Sequence, residues 1–244
     1  MARTIFVTSG KGGAGKSTVT ALVGAALARQ GHRVLLLELD IALRALDIML
    51  GLDKTVVYDL SDILTGRCTP IKAVYPCHEL TNLHLIAAPG KPGAQLPKEG
   101  MIRLVEQLKS CYDFILLDSP AGIGSGFGLG SAVAEEAIVV VTPDPVCIRD
   151  GRVASDLLDD FGLSRQFLVI NRMGRTRKAK KLGCKLDSAI DSVGVQLLGV
   201  VPEDELVHLS MGTGRMLFTN TKARSACENI AGRLAGRRIP LSLG

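Results

Sequence analysis

The chain has 244 residues, of which 47% are hydrophobic and only 4% aromatic, and its formal net charge is +5. A chain of this length can bury a large core, and an aliphatic core suits parallel strands covered on both faces. No apolar run approaches the roughly 18 residues of a membrane-spanning helix, and the first residues lead into a strand-like run rather than a signal peptide. We therefore expect a cytoplasmic globular protein with a single domain over residues 1–244.

Strand-like apolar runs alternate along the chain with amphipathic, helix-like stretches. The predicted strands lie at 4–8, 34–39, 83–87, 114–117, 137–142, 167–171 and 196–201. The predicted helices include 17–30, 99–111, 149–161 and 186–193, and residues 222–238 are at best a last helix packed on the domain. This alternation predicts an α/β fold with a single doubly wound, mostly parallel sheet and helices on both faces. Such sheets bind ligands at the carboxyl ends of their strands.

The segment between the first predicted strand and the first helix carries a phosphate-binding pattern. Residues 10–17 read Gly-Lys-Gly-Gly-Ala-Gly-Lys-Ser, which fits glycine, any four residues, then Gly-Lys-Ser/Thr. Glycines let backbone N–H groups close around phosphate oxygens, and the helix N-terminus adds favourable partial charge. Lys16 is expected to reach the β- and γ-phosphates and Ser17 to hold Mg²⁺. The residues expected to bind a nucleotide here are Gly10, Lys11, Gly12, Gly13, Ala14, Gly15, Lys16, Ser17 and Thr18.

Other interpretations of this segment are weaker. Its glycines also satisfy G-x-G-x-x-G, but the dinucleotide fingerprint does not require Lys-Ser after it. An ordinary turn is less favoured still. Lys11 is a second lysine in the loop, and it either contacts a phosphate bound by a neighbouring subunit, as an arginine finger does, or faces solvent. The residues alone leave these two interpretations even.

Carboxylates end two further predicted strands. The strand at 114–117 runs into Asp118, which could hold a water ligand of Mg²⁺. The strand at 34–39 carries Glu38 and runs into Asp40, which could orient an attacking water beside the γ-phosphate. The alternative for Glu38 is a carboxylate in the sheet with a local partner.

Three other patterns do not identify a chemistry. Alternating glycines at 122, 124, 126, 128 and 130 predict a segment that is either mobile or closely packed. Seven basic residues and no acidic one lie between Arg172 and Lys185, which favours a solvated surface over contact with nucleic acid or lipid headgroups. Cysteines at 68, 77, 111, 147, 184 and 227 form no C-x-x-C pair, so we expect reduced thiols rather than a metal site.

Taken together, these residues resemble the MinD/ParA family of ATPases, whose deviant Walker A loop has the form K-G-G-x-G-K-[ST]. The likeness runs from residue 1 to about 241 and is strongest to the septum-site-determining branch of the family. Besides the loop and its entry at 8–11, it is carried by segments 40–47, 57–60, 118–123 and 201–204.

The resemblance implies an ATP-dependent homodimer that uses ATP and Mg²⁺, hydrolyses ATP slowly, and acts in the spatial regulation of cell division. A regulatory protein of the MinC or MinE type is the implied partner and stimulator. Lys11, Lys16 and Asp40 are implied in catalysis, Lys11 on the partner's nucleotide, and Ser17 and Asp118 in Mg²⁺ binding. The residues implied around the adenine are Asn171, Arg172, Pro202, Glu203 and Asp204.

The chain also departs from the family pattern. Family members usually have Asp at Glu38, Gly at Ala42 and Asn at Ala45, and Ala14 is a milder change. The family's usual amphipathic membrane helix does not follow residue 241, so we expect no separate C-terminal membrane-targeting helix, and membrane contact only through a partner.

Two alternative functions remain open. The altered residues near 42–45 favour a nucleotide-binding adaptor that barely hydrolyses ATP. A ParA- or FlhG-like positioning ATPase would instead use residues 172–185 on DNA, with binding that weakens steeply with salt. Electron transfer and metal delivery are disfavoured because the cysteines lack the required spacing.

Overall fold

The computed structural model describes residues 2–41, 44–174, 186–215, 217 and 219–241, and an eight-stranded sheet organises them. The strands are β1 (Arg3–Thr8), β2 (Val34–Glu38), β3 (Tyr75–Cys77), β4 (Leu80–Ile86), β5 (Phe114–Asp118), β6 (Glu136–Val141), β7 (Gln166–Met173) and β8 (Gln196–Pro202). The α-helices are α1 (Lys16–Arg29), α2 (Leu46–Met49), α3 (Leu60–Leu64), α4 (Lys98–Leu108), α5 (Ser125–Val133), α6 (Pro145–Asp160), α7 (Leu186–Val193), α8 (Glu205–Ser210) and α9 (Lys222–Leu234). Short 3-10 turns lie at Pro70–Lys72 and Met211–Thr213.

The sheet has the strand order β3-β4-β2-β5-β1-β6-β7-β8. All neighbouring pairs are parallel except β3 with β4. The predicted doubly wound, mostly parallel α/β fold is therefore confirmed. Val7 of β1 and Glu38 of β2 both pair in register with Asp118 of β5. The carboxyl ends of these three strands thus meet at one edge of the sheet.

The four central strands are almost wholly buried, as an aliphatic composition predicts. Every residue of β2, β5 and β6 is buried, and in β1 only Arg3 is partly exposed. Strands buried on both faces read as continuous apolar runs, which is why the sequence located them well. Three carboxylates, Glu38, Asp118 and Glu136, share this interior and need specific partners there.

Three of the five alternating glycines, those at 126, 128 and 130, belong to a helix, because residues from Ser125 onward form α5. A Cβ on Gly130 would lie 2.1 Å from the Phe6 ring, and one on Gly126 would lie 2.3 Å from Cγ of Pro120. These glycines therefore let the α5 backbone lie directly against β1 and the segment after β5. Close packing, the second of the two predicted alternatives, therefore describes Gly126 and Gly130, whereas Gly122 and Gly124 precede α5 and would have open space for a Cβ.

Several element boundaries differ from the predictions for local reasons. The antiparallel strand β3 was missed because it has three residues, one of them Pro76, at the sheet edge. Helix α6 begins at Pro145, earlier than predicted, because the Asp144 side chain accepts a hydrogen bond from the Cys147 N–H over 3.0 Å. Helix α4 ends at Leu108 rather than 111.

The described residues add two observations on composition. None of the described helices is both long and apolar enough to cross a membrane. Five of the six cysteines are described, and all five are free thiols; Cys184 lies outside the described residues.

Candidate active site

The predicted phosphate loop joins the carboxyl end of β1, near the centre of the sheet, to the N-terminus of α1. No side chain caps α1, so its first N–H groups remain open to an anion. Gly13 and Gly15 have φ angles of +84° and +88°, in the left-handed region that side chains disfavour. The shape of this loop therefore depends on glycine at these two positions.

Two neighbouring elements hold the loop in place. A Cβ on Gly10 would lie 1.9 Å from the main-chain oxygen of Asp150, so the loop lies directly on α6. On the other side, Asn171 Nδ2 donates a hydrogen bond to the main-chain oxygen of Ala14 over 2.9 Å. A Cβ on Gly15 would meet the same Asn171 nitrogen at 2.2 Å. Asn171, which the family resemblance associates with the adenine, thus also contacts the phosphate loop through its amide nitrogen.

Lys16 and Asp118 face each other beneath the loop. Lys16 is 7% exposed, and burial lowers the pKa of its ammonium group while Asp118 and Asp40 oppose that shift. Thr20 Oγ1 donates a hydrogen bond to Asp118 Oδ1 over 3.1 Å. Thr20 was not predicted, although it lies one helical turn after Lys16 and so points the same way.

The Asp118 carboxylate keeps one oxygen atom free of hydrogen bonds from the described residues. It is fully buried, and its Oδ2 has no hydrogen-bond partner among the described residues. Burial raises the pKa of Asp118 to about 6, while Ser17, Lys16 and Thr20 oppose the shift. An unpaired buried carboxylate oxygen beside a serine hydroxyl fits the all-oxygen ligand set that Mg²⁺ prefers.

Lys11 and Asp40 differ in how firmly the chain holds them. Lys11 is exposed, and its side chain forms no hydrogen bond or ion pair with any described residue. Its main-chain oxygen accepts a hydrogen bond from Ser9 Oγ over 2.7 Å, which fixes the backbone but not the ammonium group. Asp40 is partly exposed; burial raises the pKa of its carboxyl group and Lys16 lowers it. Asp40 is therefore within electrostatic reach of Lys16.

Glu38 has the local partners that the simpler interpretation predicted. Its Oε1 accepts hydrogen bonds from the N–H groups of Ala45 (2.6 Å) and Leu46 (3.0 Å), and its Oε2 accepts one from Ala88 (3.4 Å). Burial raises the pKa of Glu38 to about 7; the three backbone hydrogen bonds oppose this shift, and the nearby Asp118 adds to it. Glu38 thus anchors the start of α2 to the sheet. Ala42, another departure from the family pattern, lies outside the described residues.

A cleft opens between the ends of β7 and β8, beside α1. This β7–β8 cleft is lined by Thr18, Val19, Leu22, Asn171, Arg172, Val201, Pro202, Glu203, Asp204, Val207, His208, Met211 and Ala223. All the residues associated with the adenine, and Thr18 as well, therefore lie together. The sequence missed the apolar wall formed by α1 and α8, because no local pattern links distant helices to one cleft.

Arg172 and Asp204 have unusual roles in this cleft. Arg172 has a φ of +55°, and it is the only non-glycine residue with positive φ in the described ranges. Strain of this kind often accompanies a functional site. Asp204 Oδ2 accepts hydrogen bonds from the N–H groups of Lys222 (3.1 Å) and Ala223 (3.4 Å), so it joins the cleft to α9. The rest of the predicted basic surface, residues 175–185, lies outside the described residues.

The phosphate loop, whose shape depends on glycine, leads into the open N-terminus of α1. A buried lysine and an aspartate with an oxygen unpaired in the described part of the chain lie beside it. This arrangement is typical of α/β proteins that bind nucleotide phosphates. A model of the CobQ/CobB/MinD/ParA nucleotide binding domain matches residues 5–217, and the chain belongs to this family. Within the family, the chain is similar to the septum site-determining protein MinD of Synechocystis, with 40% identity over 98% of this chain and 92% of that protein.

Solved structures agree with this assignment. The MinC:MinD cell division protein complex of Aquifex aeolicus contains a chain with a TM-score of 0.91 and 35% identity, covering 99% of this chain and 98% of that one. MinD of Pyrococcus horikoshii, solved with Mg-ADP, gives a TM-score of 0.85 and 30% identity over 96% of each chain. Proteins of the MinD/ParA family are ATPases, and the recognised resemblance to this family is confirmed.

Proposed function

We propose that this chain is an ATP-hydrolysing dimerisation switch of the MinD type, acting in the placement of the division septum, and that residues 1–244 form one nucleotide-binding domain. The similarity to septum site-determining proteins over 98% of the chain supports the biological role. The observation that carries the switch is the contrast between two lysines of one loop. Lys16 is buried beside Asp118, whereas Lys11 is exposed and without a partner among the described residues.

The proposed reaction is the hydrolysis of ATP to ADP and phosphate. The N–H groups of the loop and α1 surround the phosphates, and Lys16 binds the β- and γ-phosphate oxygens. Asp40 orients the attacking water in line with the departing ADP. Ser17 and Asp118 would hold Mg²⁺, whose positive charge would offset the charge that develops on the phosphates. The apolar wall of the β7–β8 cleft suits an adenine ring, and the cleft, with a free volume of about 30 Å³, would have to widen to receive one.

Lys11 acts on the second subunit in this proposal. An exposed ammonium group at the loop is free to reach a phosphate held by another copy of the chain. There it stabilises charge on the leaving oxygen, as an arginine finger does. ATP would then hold the dimer together, and hydrolysis would release it. Turnover is expected to be slow until a regulatory protein stimulates it, and the solved MinC:MinD complex suggests a partner of the MinC type.

Light scattering after size exclusion tests the switch, with Mg·ATP and with Mg·ADP. We expect a wild-type dimer with ATP only, and a monomer for Lys11→Ala with both nucleotides. Lys54→Ala, which removes another exposed lysine outside the loop, is the matched control and should dimerise like wild type. Nucleotide binding is measured separately by calorimetry, so that loss of dimerisation is not confused with loss of binding.

A weakly hydrolysing nucleotide-binding adaptor is the second candidate. It is favoured by Glu38, whose Oε1 accepts hydrogen bonds from two N–H groups of the segment that follows Asp40, while its Oε2 accepts one from Ala88 after β4. A segment anchored in this way has less freedom to rearrange around a γ-phosphate. Wild-type protein that binds Mg·ATP but stays monomeric and releases no phosphate would favour the adaptor over the switch.

A further inference from the structure

A second cavity lies at the amino ends of the strands, on the edge of the sheet opposite the phosphate loop. Its volume is about 590 Å³, and it lies between the starts of β7 and β8 and the segment that follows α9. We call it the arginine cavity, since five arginines line it: Arg3, Arg165, Arg233, Arg237 and Arg238. A six-residue strand such as β1 spans roughly 20 Å, so this cavity is separate from the nucleotide site.

The positive charge of the arginine cavity is only partly balanced. Glu136, which is 2% exposed, accepts hydrogen bonds from Arg3 Nε (2.9 Å) and pairs with Arg165 Nη1 (3.0 Å). Asp159 lies at the margin, where it accepts a hydrogen bond from Gln166 Nε2 over 2.8 Å. Among the lining residues and their hydrogen-bond partners, two carboxylates therefore face five guanidinium groups.

The C-terminus of α9, which would repel an anion if its carbonyl groups were free, is fully bonded. Main-chain oxygens of its last four residues, 231–234, accept hydrogen bonds from the N–H groups of Ala235, Arg237 and Gly236 and from the Arg3 guanidinium. The helix end therefore offers no free acceptor to the cavity, and its negative partial charge is compensated.

The segment after α9 is held rather than loose. Arg233 donates hydrogen bonds to the main-chain oxygens of Leu198 (2.8 Å), Ile239 (2.9 Å) and Pro240 (2.6 Å). A Cβ on Gly232 would lie 2.8 Å from Nη2 of Arg237, so the Arg237 side chain lies across the glycine. Arg233 thus fixes the backbone that carries Arg237 and Arg238.

We propose that the arginine cavity binds a phosphate group, with Arg165, Arg237 and Arg238 as its ligands. Arg237 and Arg238 are exposed and have no side-chain partner in the described part of the chain, and Arg165 uses only Nη1 on Glu136. Arg3 and Arg233 already donate their guanidinium hydrogen bonds to Glu136 and to main-chain oxygens, so they hold the cavity walls in place rather than bind the phosphate. A planar guanidinium matches phosphate oxygens two at a time, which a lysine cluster would not do.

The phosphate could belong to a small soluble anion or to a lipid headgroup, and the experiment separates the two. The protein is first saturated with Mg·ADP, so that the nucleotide site is filled. In one arm, inorganic phosphate is titrated at constant ionic strength while the arginine Nε–Hε NMR signals are followed. In the other arm, vesicles of phosphatidylglycerol in phosphatidylcholine are sedimented with the same protein.

We expect saturable binding in at least one arm and a loss of affinity of at least about tenfold in Arg237→Gln/Arg238→Gln. Lys98→Gln/Arg103→Gln is the matched control, because it removes two exposed positive charges from α4 and should bind like wild type. Failure to bind in both arms, or an equal loss of affinity in the control, would overturn the proposal. ADP binding and dimerisation are read independently, so this outcome says nothing against the nucleotide switch.

Discussion

The Asn171 side chain donates a hydrogen bond to the main-chain oxygen of Ala14 over 2.9 Å. Asn171 lies on β7 in the wall of the β7–β8 cleft, whereas Ala14 lies in the phosphate loop. Both residues are buried, so water does not compete for this bond. This hydrogen bond therefore couples the wall of the β7–β8 cleft directly to the phosphate loop.

Removing this bond should weaken nucleotide binding. In Asn171→Ala the oxygen of Ala14 loses its partner, and we expect the affinity for Mg·ADP to fall roughly tenfold, or about 1.4 kcal/mol. Isothermal titration calorimetry measures the change. Asn82→Ala is the control, because Asn82 donates to the oxygens of Ala28 (2.7 Å) and His32 (2.8 Å) away from the cleft. Asn82→Ala should lower thermal stability but leave the affinity for ADP unchanged. An unchanged affinity in Asn171→Ala would refute the proposed contribution of the Asn171–Ala14 hydrogen bond to nucleotide binding.

Two glycines of α5 should respond oppositely to alanine. At Gly128 a Cβ would make ordinary contact with Phe161 at 3.6 Å, so Gly128→Ala should stabilise the helix by up to about 1 kcal/mol. At Gly130 the Cβ would lie 2.1 Å from the buried Phe6 ring, and overpacking should destabilise the fold by about 1–3 kcal/mol. Thermal denaturation of both variants measures the signs, and a Gly130→Ala variant as stable as Gly128→Ala would contradict the described packing.

Glu38 should make stability fall with rising pH. Its pKa is raised from 4.5 to about 7 in the folded chain, so between these values the folded state binds more protons than the unfolded state. Ionised Glu38 therefore costs stability that accumulates from pH 4.5 to 7, by up to about 3 kcal/mol. Denaturant titrations across this range should show a steeper loss for wild type than for Glu38→Gln. The exposed Glu99→Gln should keep the wild-type slope, and identical slopes in all three proteins would exclude the effect.

Asp118 should show a trade between stability and cation binding. Burial raises its pKa from 3.8 to about 6, so the ionised form at pH 8 destabilises the nucleotide-free protein. We expect Asp118→Asn to raise the free energy of unfolding by up to about 3 kcal/mol at that pH. At the same time, Mg²⁺ should no longer strengthen ADP binding. Asp53→Asn, which changes an exposed carboxyl group without a side-chain partner in the described part of the chain, should change neither quantity, and Mg²⁺ dependence retained in Asp118→Asn would rule out the proposed ligand.

The sheet and the phosphate loop were predictable because their signals are local. Buried parallel strands appear as short aliphatic runs, and a phosphate loop requires glycines and a lysine at fixed spacing. The carboxylates Asp40 and Asp118 could be located because they directly follow such runs. Segments with weaker local signals were placed poorly: the edge strand β3 was missed, and the glycines of α5 left two alternatives open.

Side-chain partners were less predictable, because they depend on contacts between distant parts of the chain. Thr20 bonds Asp118 across 98 positions of sequence, and Asn171 bonds Ala14 across 157. No periodicity in the sequence encodes such pairs. Glu38 is an intermediate case: its burial in a strand was evident, but its attachment to the start of α2 was visible only in the structure.

The hydrogen bonds of Asp204 attach the N-terminus of α9 to the β7–β8 cleft. The helix has 13 residues and is therefore about 20 Å long. The N-terminus of α9 is bound by the Asp204 carboxylate at the cleft, and its C-terminus carries Arg233 and Leu234, which line the arginine cavity. A single helix therefore connects the wall of the β7–β8 cleft with the arginine cavity at the opposite edge of the sheet.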